Sequence, residues 1–343
     1  MIVKTVYFEI NNRCNLNCAT CYNRSGINKT YSEISAVQLQ NSIEIFLKHG
    51  LERVLISGGE PVLHSDFDGI LELVEKYPEI SFGISTNGTV YNQKLIDMLN
   101  QTDNFTLQIS LDGSTEEYNA KTRGKNNYAK TIKFAKQIHK QNPGALLKMV
   151  ISRNNIADVE NFYRLAISLG FTPEYAFITR RGNAGDKWDD LCVSPKQKFN
   201  VLKQIDGLNK EYGIEAFLPL CTTGCPYAHD ENKKKLSLCI TPDGTIHPCS
   251  LLYDSKYSLG NIFEFDENYF VERIAYISGL AVKRESADYD CQKCVLQNNC
   301  KRGCIAEAFI LNGDIFANDG ECDFRKMQVI GFDLRNLQKN KHE

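Results

Sequence analysis

The chain is poor in the features that mark membrane, nucleic-acid-binding and secreted proteins. No apolar run approaches the ~18 residues that a membrane span requires. Forty Lys and Arg stand against 42 Asp and Glu, a net charge of -2, whereas a nucleic-acid binder needs a basic surface to release counterions. The stretch from Met1 to Ile10 has one lysine and alternates apolar with polar residues before Asn11, Asn12 and Arg13, so it reads as a strand and not as a signal peptide. Tryptophan occurs once and histidine six times, with no histidine near Cys14 to complete a zinc tetrahedron. Cysteine is what the chain has in quantity. Thirteen of them, an odd number, without a signal segment, point to a reducing cytoplasm and metal-sulfur chemistry rather than disulfides. With 343 residues, 42% of them apolar and 24% charged, the chain can fold as one large domain plus a smaller one.

Cys14, Cys18 and Cys21 follow the apolar run Thr5 to Ile10 in the order C-x3-C-x2-C. Iron-sulfur clusters are normally held by four cysteines, so three on one short loop leave one iron with an open coordination position. Structural zinc wants four ligands, commonly two C-x2-C pairs. A thioredoxin-like pair at Cys18 and Cys21 leaves Cys14 without a purpose.

Six strand candidates follow one another: Thr5 to Ile10, Arg53 to Ser57, Ser81 to Ser85, Phe105 to Leu111, Leu146 to Ile151 and Glu174 to Ile178. Helical patterns separate them at Ala36 to His49, after Ser65 as N-cap, at Gln93 to Leu99, Tyr128 to Gln141 and Val159 to Leu169. Alternation of this kind implies parallel strands in right-handed βαβ units. In such folds the working groups collect on loops at the carboxyl ends of strands. There the sequence places the cysteine triplet, then Gly58-Gly59-Glu60-Pro61, then Thr86-Asn87-Gly88, then Ser110-Leu111-Asp112-Gly113, with Arg123 a little further on.

The triplet and the Gly-Gly-Glu-Pro loop one strand later resemble the radical S-adenosylmethionine (SAM) superfamily. The resemblance implies that the bare iron chelates the amino and carboxylate groups of SAM, and that one-electron reduction cleaves it to a 5′-deoxyadenosyl radical. Gly58, Gly59 and Pro61 then let backbone approach the ligand, Glu60 and nearby carbonyls receive the ammonium group, and Thr86 and Asn87 serve ribose hydroxyls or carboxylate. Ser110 adds a hydrogen bond and Arg123 a planar fork for a carboxylate. The family usually carries an aromatic residue before the third cysteine. Here Thr20 stands there and Tyr22 follows, which leaves a backbone contact to the adenine.

From Cys221 onward the helical rhythm stops and nine cysteines follow. Gly244-x4-Cys249 and the run Cys291-x2-Cys294-x5-Cys300-x3-Cys304, with Cys322 beyond it, resemble the SPASM extension of radical SAM enzymes, which holds two auxiliary clusters. By that resemblance Cys221, Cys225, Cys249 and Cys304 belong to the first, and Cys291, Cys294, Cys300 and Cys322 to the second. Cys239 is surplus or replaces Cys221, and C-x2-C pairs alone do not separate zinc from iron. Asp230 to Lys235 reads as a solvated hairpin tip.

The expected fold is α/β: a partial (β/α)6 TIM-like barrel over 1–215, a small cysteine-rich SPASM domain over 216–326 and a C-terminal helix over 327–343. Its expected cofactors are three [4Fe-4S] clusters and SAM. Hydrogen abstraction from a ribosomally made precursor peptide is the expected activity, leading to a thioether, a C–C crosslink or epimerisation. A sulfatase-maturing type of enzyme is the alternative, although that type has aspartate where Ser250 stands; a non-catalytic electron-transfer protein is another. The expected electron donor is a reducing flavodoxin or ferredoxin; since four residues before strand one leave no room for a winged-helix module, a leader peptide is expected to be recognised by a separate leader-binding protein, by the barrel surface, or not at all. Nucleic acid and membrane are not among the expected partners. Cys192, which fits neither cluster spacing, is a candidate hydrogen-atom donor. Trp188, in a loop after strand six, either lines a substrate opening or packs on its own domain.

Overall fold

A computed structural model describes residues 2–27, 30–138, 144–214, 216–222, 224–228, 235–286, 290–297 and 300–331. Six strands run β1 (Ile2–Asn11), β2 (Arg53–Gly58), β3 (Ser81–Thr86), β4 (Phe105–Ser110), β5 (Leu146–Ile151) and β6 (Thr172–Phe177). Between them lie α1 (Ala36–Leu47), α2 (Phe67–Lys76), α3 (Gln93–Gln101), α4 (Glu116–Arg123), α5 (Tyr128–Ala135) and α6 (Val159–Leu169). All neighbouring pairs from β1 to β6 are parallel, and the result is a partial (β/α)6 barrel.

The period-2 pattern of β1 decides what faces where. Val6, Phe8 and Ile10 are buried on one face, while Tyr7, Glu9 and Asn11 take the other. Leu39, Ile43 and Phe46 form the buried stripe of α1, which starts at a reciprocal cap between Ser35 and Gln38. In α2 the N-cap is Asp66, not Ser65: the Asp66 side chain accepts from Gly69 N, and Ser65 Oγ is drawn instead to Glu33 Oε2 at 2.5 Å. α6 ends on Gly170 in the left-handed region, at φ 84°.

The sheet does not stop at β6. Its order is β6-β5-β4-β3-β2-β1-β7-β8. β7 (Lys235–Ile240) pairs parallel with β1, setting Tyr7 opposite Cys239, and β8 (Ile246–His247) turns back antiparallel. Part of the segment 216–326 thus extends the barrel sheet across residue 215. The segment expected as a loop after β6 instead forms two short helices, α7 (Asn183–Asp186) and α8 (Trp188–Leu191), with the Trp188 side chain packed against Ile178, Ala184 and Leu191. α9 (Pro195–Tyr212), α10 (Glu267–Ser286), α11 (Ile305–Asn312) and α12 (Cys322–Gly331) are the remaining α-helices among the described residues.

One core joins the two halves. Phe46 of α1 meets Phe265 and Phe270 edge-on at 6.2 and 5.9 Å, and Phe324 of α12 meets Phe177 of β6 at 5.6 Å. The closing helix is therefore seen over Cys322–Gly331. The expected continuation through Phe332, Leu334 and Leu337, the hairpin tip at 230–234 and the end of the helix predicted to reach Gln141 lie outside the described residues. Among the described residues, no helix is long and apolar enough to cross a membrane.

Phe8 is fully buried at the centre of this arrangement. Replacing it with alanine should lower stability by about 3–5 kcal/mol, measured by urea unfolding. Val37→Ala, at a position 69% exposed, should change it by less than about 0.5 kcal/mol.

Candidate active site

The loops after β1, β2 and β3 are stitched together at the carboxyl end of the sheet. Gly59 N donates to Asn11 O at 2.9 Å and Glu60 N to Arg13 O at 2.7 Å, while Asn11 Nδ2 donates back to Glu60 O at 3.0 Å. A Cβ on Gly58 or Gly59 would run into the backbone carbonyl of Asn11 or of Arg13, and Gly58 also has φ +134°. The two glycines are what lets the cysteine loop lie on the β2 loop.

Glu60 is 1% exposed. Its carboxylate accepts Thr86 Oγ1 at 2.6 Å, Asn87 N at 2.7 Å and Val62 N at 3.4 Å. Burial raises its pKa, and these donors and the nearby Arg123 oppose the rise. Its carboxylate thus ties the loop after β3 to the loop after β2, with Oε2 taking a single one of these donors. Asn87 Nδ2 reaches Asn15 Oδ1 at 3.0 Å, on the cysteine loop. Pro61 is buried at the head of a 3-10 turn, and Ser110 ends β4 opposite Lys148.

Arg123 is not a surface ion pair. Its Nε lies 3.0 Å from Oδ2 of the fully buried Asp112, in an ionic contact whose N–H is not aligned for a hydrogen bond. Asp112 is fixed by Thr122 Oγ1 at 3.0 Å and Val150 N at 2.9 Å. The guanidinium stands close enough to Cys14 and Cys18 to lower both thiol pKa values. Burial wins nevertheless, pushing Cys14 up to about 11 and Cys18 up to about 12. The thiols are protonated in the metal-free chain, so metal loading must displace protons. Ala19 N, held by Thr122 O at 2.7 Å, ties the loop to α4.

A test of fit for iron-sulfur ligation comes from the amides around the cysteines. Leu16 N donates to Cys14 Sγ at 3.4 Å and Leu296 N to Cys294 Sγ at 3.5 Å. The amide two residues on also bonds to Cys225, Cys249 and Cys300. Such N–H donors favour the thiolate and are among the groups that tune cluster sulfurs. All thirteen cysteines are free. Among the described residues no three ligand-type side chains close to the spacing of a single metal ion. A four-iron cluster binds each thiolate at a different corner, so its cysteines stand further apart than that. The residues present fit such clusters.

Cys225, Cys249 and Cys304 lie near one another: burial raises all three thiols, Cys249 adds to the rise at Cys225, and Cys249 and Cys225 add to it at Cys304. Cys221 stands beside Arg325, whose Nη2 meets its Sγ at 3.3 Å and also pairs with the buried Asp319. Asp319 Oδ2 accepts Cys304 N at 2.9 Å. Arg325 also feels the charge of Cys300, Cys300 that of Cys322, and Cys322 Sγ accepts Asn318 Nδ2 at 3.2 Å. Cys294 N bonds to Cys291 O at 3.0 Å, with Cys291 exposed. Cys192 is apart from these groups: Arg153 Nη2 meets its Sγ at 3.5 Å. The segment that carries it does reach the cysteine loop, through Asn183 Nδ2 on Cys18 O at 2.8 Å.

A cavity of ≈ 340 Å³ opens beside the loop, lined by Glu9, Asn11, Tyr22, Arg181, Thr241 and Tyr253 among others. Tyr22 sends its hydroxyl here, to Glu9 Oε1 at 3.4 Å. Sequence reasoning passed over Asn11, Asn15, Glu9, Arg181 and Tyr253 as site residues and gave Asp112, on the loop after β4, no role. For Asp112 a signal existed, an Asp-Gly at a strand end. Glu9 had a weaker one, a carboxylate inside an apolar strand.

The radical SAM superfamily profile matches residues 8–166. These residues are a radical SAM domain. The chain is 26% identical to the mycofactocin maturase MftC of Mycolicibacterium smegmatis over 92% of its own length and 81% of that protein. In fold it is similar to Streptococcus suis SuiB bound to its precursor peptide SuiA, with a TM-score of 0.74, 17% identity, and 93% of this chain and 75% of that one covered. It is also similar to anSMEcpe with bound AdoMet and the Cp18Cys peptide, with a TM-score of 0.75, 18% identity and 99% of both chains covered. The radical SAM domain implies a [4Fe-4S] cluster and SAM as cofactors.

Gly59→Ala should break the seam between the cysteine and β2 loops. SAM affinity, measured by equilibrium dialysis on reconstituted protein, should fall at least about tenfold, whereas alanine at the exposed Gly207, where a Cβ meets nothing, should leave it unchanged.

Proposed function

We propose that the chain is a radical SAM peptide maturase, in which Cys14, Cys18 and Cys21 hold the SAM-cleaving cluster and a ribosomally made precursor peptide is the substrate. The reading is carried by one observation: a three-thiol loop is clamped against the Gly58–Glu60, Thr86–Asn87 and Asp112–Arg123 loops at one end of the barrel. The maturase names of its relatives and the peptide bound to SuiB support the substrate class. When bound, the cluster supplies the electron that cleaves SAM into methionine and a 5′-deoxyadenosyl radical.

The chain's own residues do the rest. Backbone at Gly58, Gly59 and Pro61 approaches the methionine end of SAM, with Glu60 buried behind it to hold Thr86 and Asn87 in place. Arg123, balanced by Asp112, offers positive charge for the SAM carboxylate beside the loop. Ser110 and the backbone at Tyr22 are assigned to the nucleoside. Two auxiliary [4Fe-4S] clusters are assigned to Cys221, Cys225, Cys249 and Cys304, and to Cys291, Cys294, Cys300 and Cys322. Electrons come from a flavodoxin or ferredoxin, and the leader is gripped by a separate binding protein. We place the enzyme in the cytoplasm, where thirteen thiols stay reduced.

Anaerobic reconstitution should give iron and sulfide in proportion to three four-iron clusters, and deoxyadenosine should form from SAM under dithionite. Replacing Cys14, Cys18 and Cys21 together by alanine should abolish deoxyadenosine while leaving iron bound elsewhere; deoxyadenosine from that variant would refute the assignment. Cys294→Ala should remove about one cluster's worth of iron and keep SAM cleavage. Co-expression with the small open reading frames adjoining the gene, followed by mass spectrometry of each peptide, tests the substrate class, and unchanged masses throughout would count against it.

A further inference from the structure

We infer that Glu9 is the base that takes up the proton released when the peptide radical closes into a new bond, with Tyr253 as its positioning residue. The inference rests on the peptide-maturase reading above and deepens it, because it selects bond formation over epimerisation.

The cavity that holds Glu9 is built from the chain just past the third cysteine, Tyr22 to Ser25, from the ends of β1 and β7, and from Arg181 beyond β6. It fills the gap between the first and last barrel strands, beside the three-cysteine loop. Among the described residues Glu9 is the one carboxylate in its wall. It points inward because β1 alternates, Phe8 and Ile10 having taken the core face.

Three elements aim at one oxygen. Glu9 Oε1 accepts Tyr253 Oη at 2.5 Å and Tyr22 Oη at 3.4 Å, with Cys239 Sγ at 3.9 Å, and Asn23 bonds to the same carboxyl group. Tyr253 is itself clamped. Cys239 Sγ meets its hydroxyl at 2.9 Å, His247 stacks on its ring at 4.3 Å, and the Arg181 guanidinium sits 3.5 Å from the ring centroid while holding Ser250 O at 2.8 Å. A buried carboxylate costs several kcal/mol unless its hydrogen bonds are well made, and apolar residues would close the strand gap at lower cost. A carboxylate fixed from several sides at a cavity wall is the arrangement that proton transfer needs.

The chemistry of the reaction supplies the proton. Hydrogen-atom removal leaves an odd electron on a peptide carbon. When that carbon bonds a thiol sulfur or an aromatic carbon of a second residue, a C–S or C–C bond forms and an S–H or C–H bond breaks. One proton and one electron leave the peptide. The electron goes to a one-electron acceptor of the iron-sulfur class, and the proton goes to Glu9 and from there to solvent at the cavity mouth. Epimerisation returns a hydrogen atom to the carbon and releases no proton, so it gives Glu9 no task.

The test uses reconstituted holoenzyme, SAM, dithionite and the precursor peptide encoded beside the gene, synthesised with carbon-bound deuterium. Mass spectrometry follows deuterium in deoxyadenosine and the crosslinked peptide together. Glu9→Gln keeps an acceptor for Tyr253, so deuterium transfer should persist while crosslinked product falls by about a hundredfold or more; Glu9→Asp should restore part of it. Tyr253→Phe, which leaves the carboxylate in place, should lower product less than Glu9→Gln at unchanged deuterium transfer, and it decides the matter if the Glu9 variants do not fold. Product at the wild-type level in Glu9→Gln overturns the inference. So does loss of deuterium transfer in step with product in both Glu9→Gln and Tyr253→Phe, which is the signature of a structural or peptide-holding role. A wild-type enzyme that takes no deuterium from the peptide overturns the peptide-maturase reading itself, and the inference with it.

Discussion

The mouth of the barrel depends on a carboxylate that no solvent reaches. Glu60 is buried where β2 ends, and a buried carboxylate is tolerated only when its lone pairs are filled. Thr86, Asn87 and Val62 donate to three of its acceptor sites, while the backbone of the same residue is locked to Arg13 and Asn11. One side chain thus fixes the spacing of the loops after β1, β2 and β3. Asn87, held on Glu60, then reaches Asn15 in the cysteine loop. The cysteine loop therefore has a defined seat on the barrel.

Charge around that seat is arranged in two layers. Close to the thiols stands Arg123, neutralised from behind by Asp112, so the loop feels a cation whose own burial is compensated. The second layer is backbone: amides two residues beyond Cys14, Cys225, Cys249, Cys294 and Cys300 point at sulfur. That recurrence links the first loop to the cysteine-rich segment far along the chain. Cys239 and Cys192 are engaged by side chains instead: Tyr253 for one and Arg153 for the other.

The seam between barrel and cysteine-rich segment is a sheet, not a linker. β7 pairs with β1, and Phe46, Phe265 and Phe270 share one aromatic cluster across it. The cavity at Glu9 exists because of this seam. Its walls come from both halves, and Tyr253 and Arg181 meet there from positions 72 residues apart in the chain, Arg181 lying over the Tyr253 ring.

Much of this was legible in the chain itself. Period-2 and period-3.6 patterns placed β2, β5 and α6 within a residue of their ends, because burial on one face leaves a periodic mark. The triplet Cys14, Cys18 and Cys21 and the glycine pair at 58 and 59 declare their chemistry locally, through spacing and the absence of a Cβ. The cap of α2 was misplaced by one residue, since Ser65 and Asp66 are both good caps and only the contact with Glu33 separates them. What only the tertiary structure decided is every role that depends on distant partners. Glu60 turns inward because Thr86 and Asn87 come from the next strand; Arg123 is buried because Asp112 awaits it; Glu9 joins Tyr253, 244 residues away, because β7 pairs with β1. Sequence fixes periodicity and covalent spacing, but a buried charge is stable only where its partners converge, and convergence is a property of the folded chain.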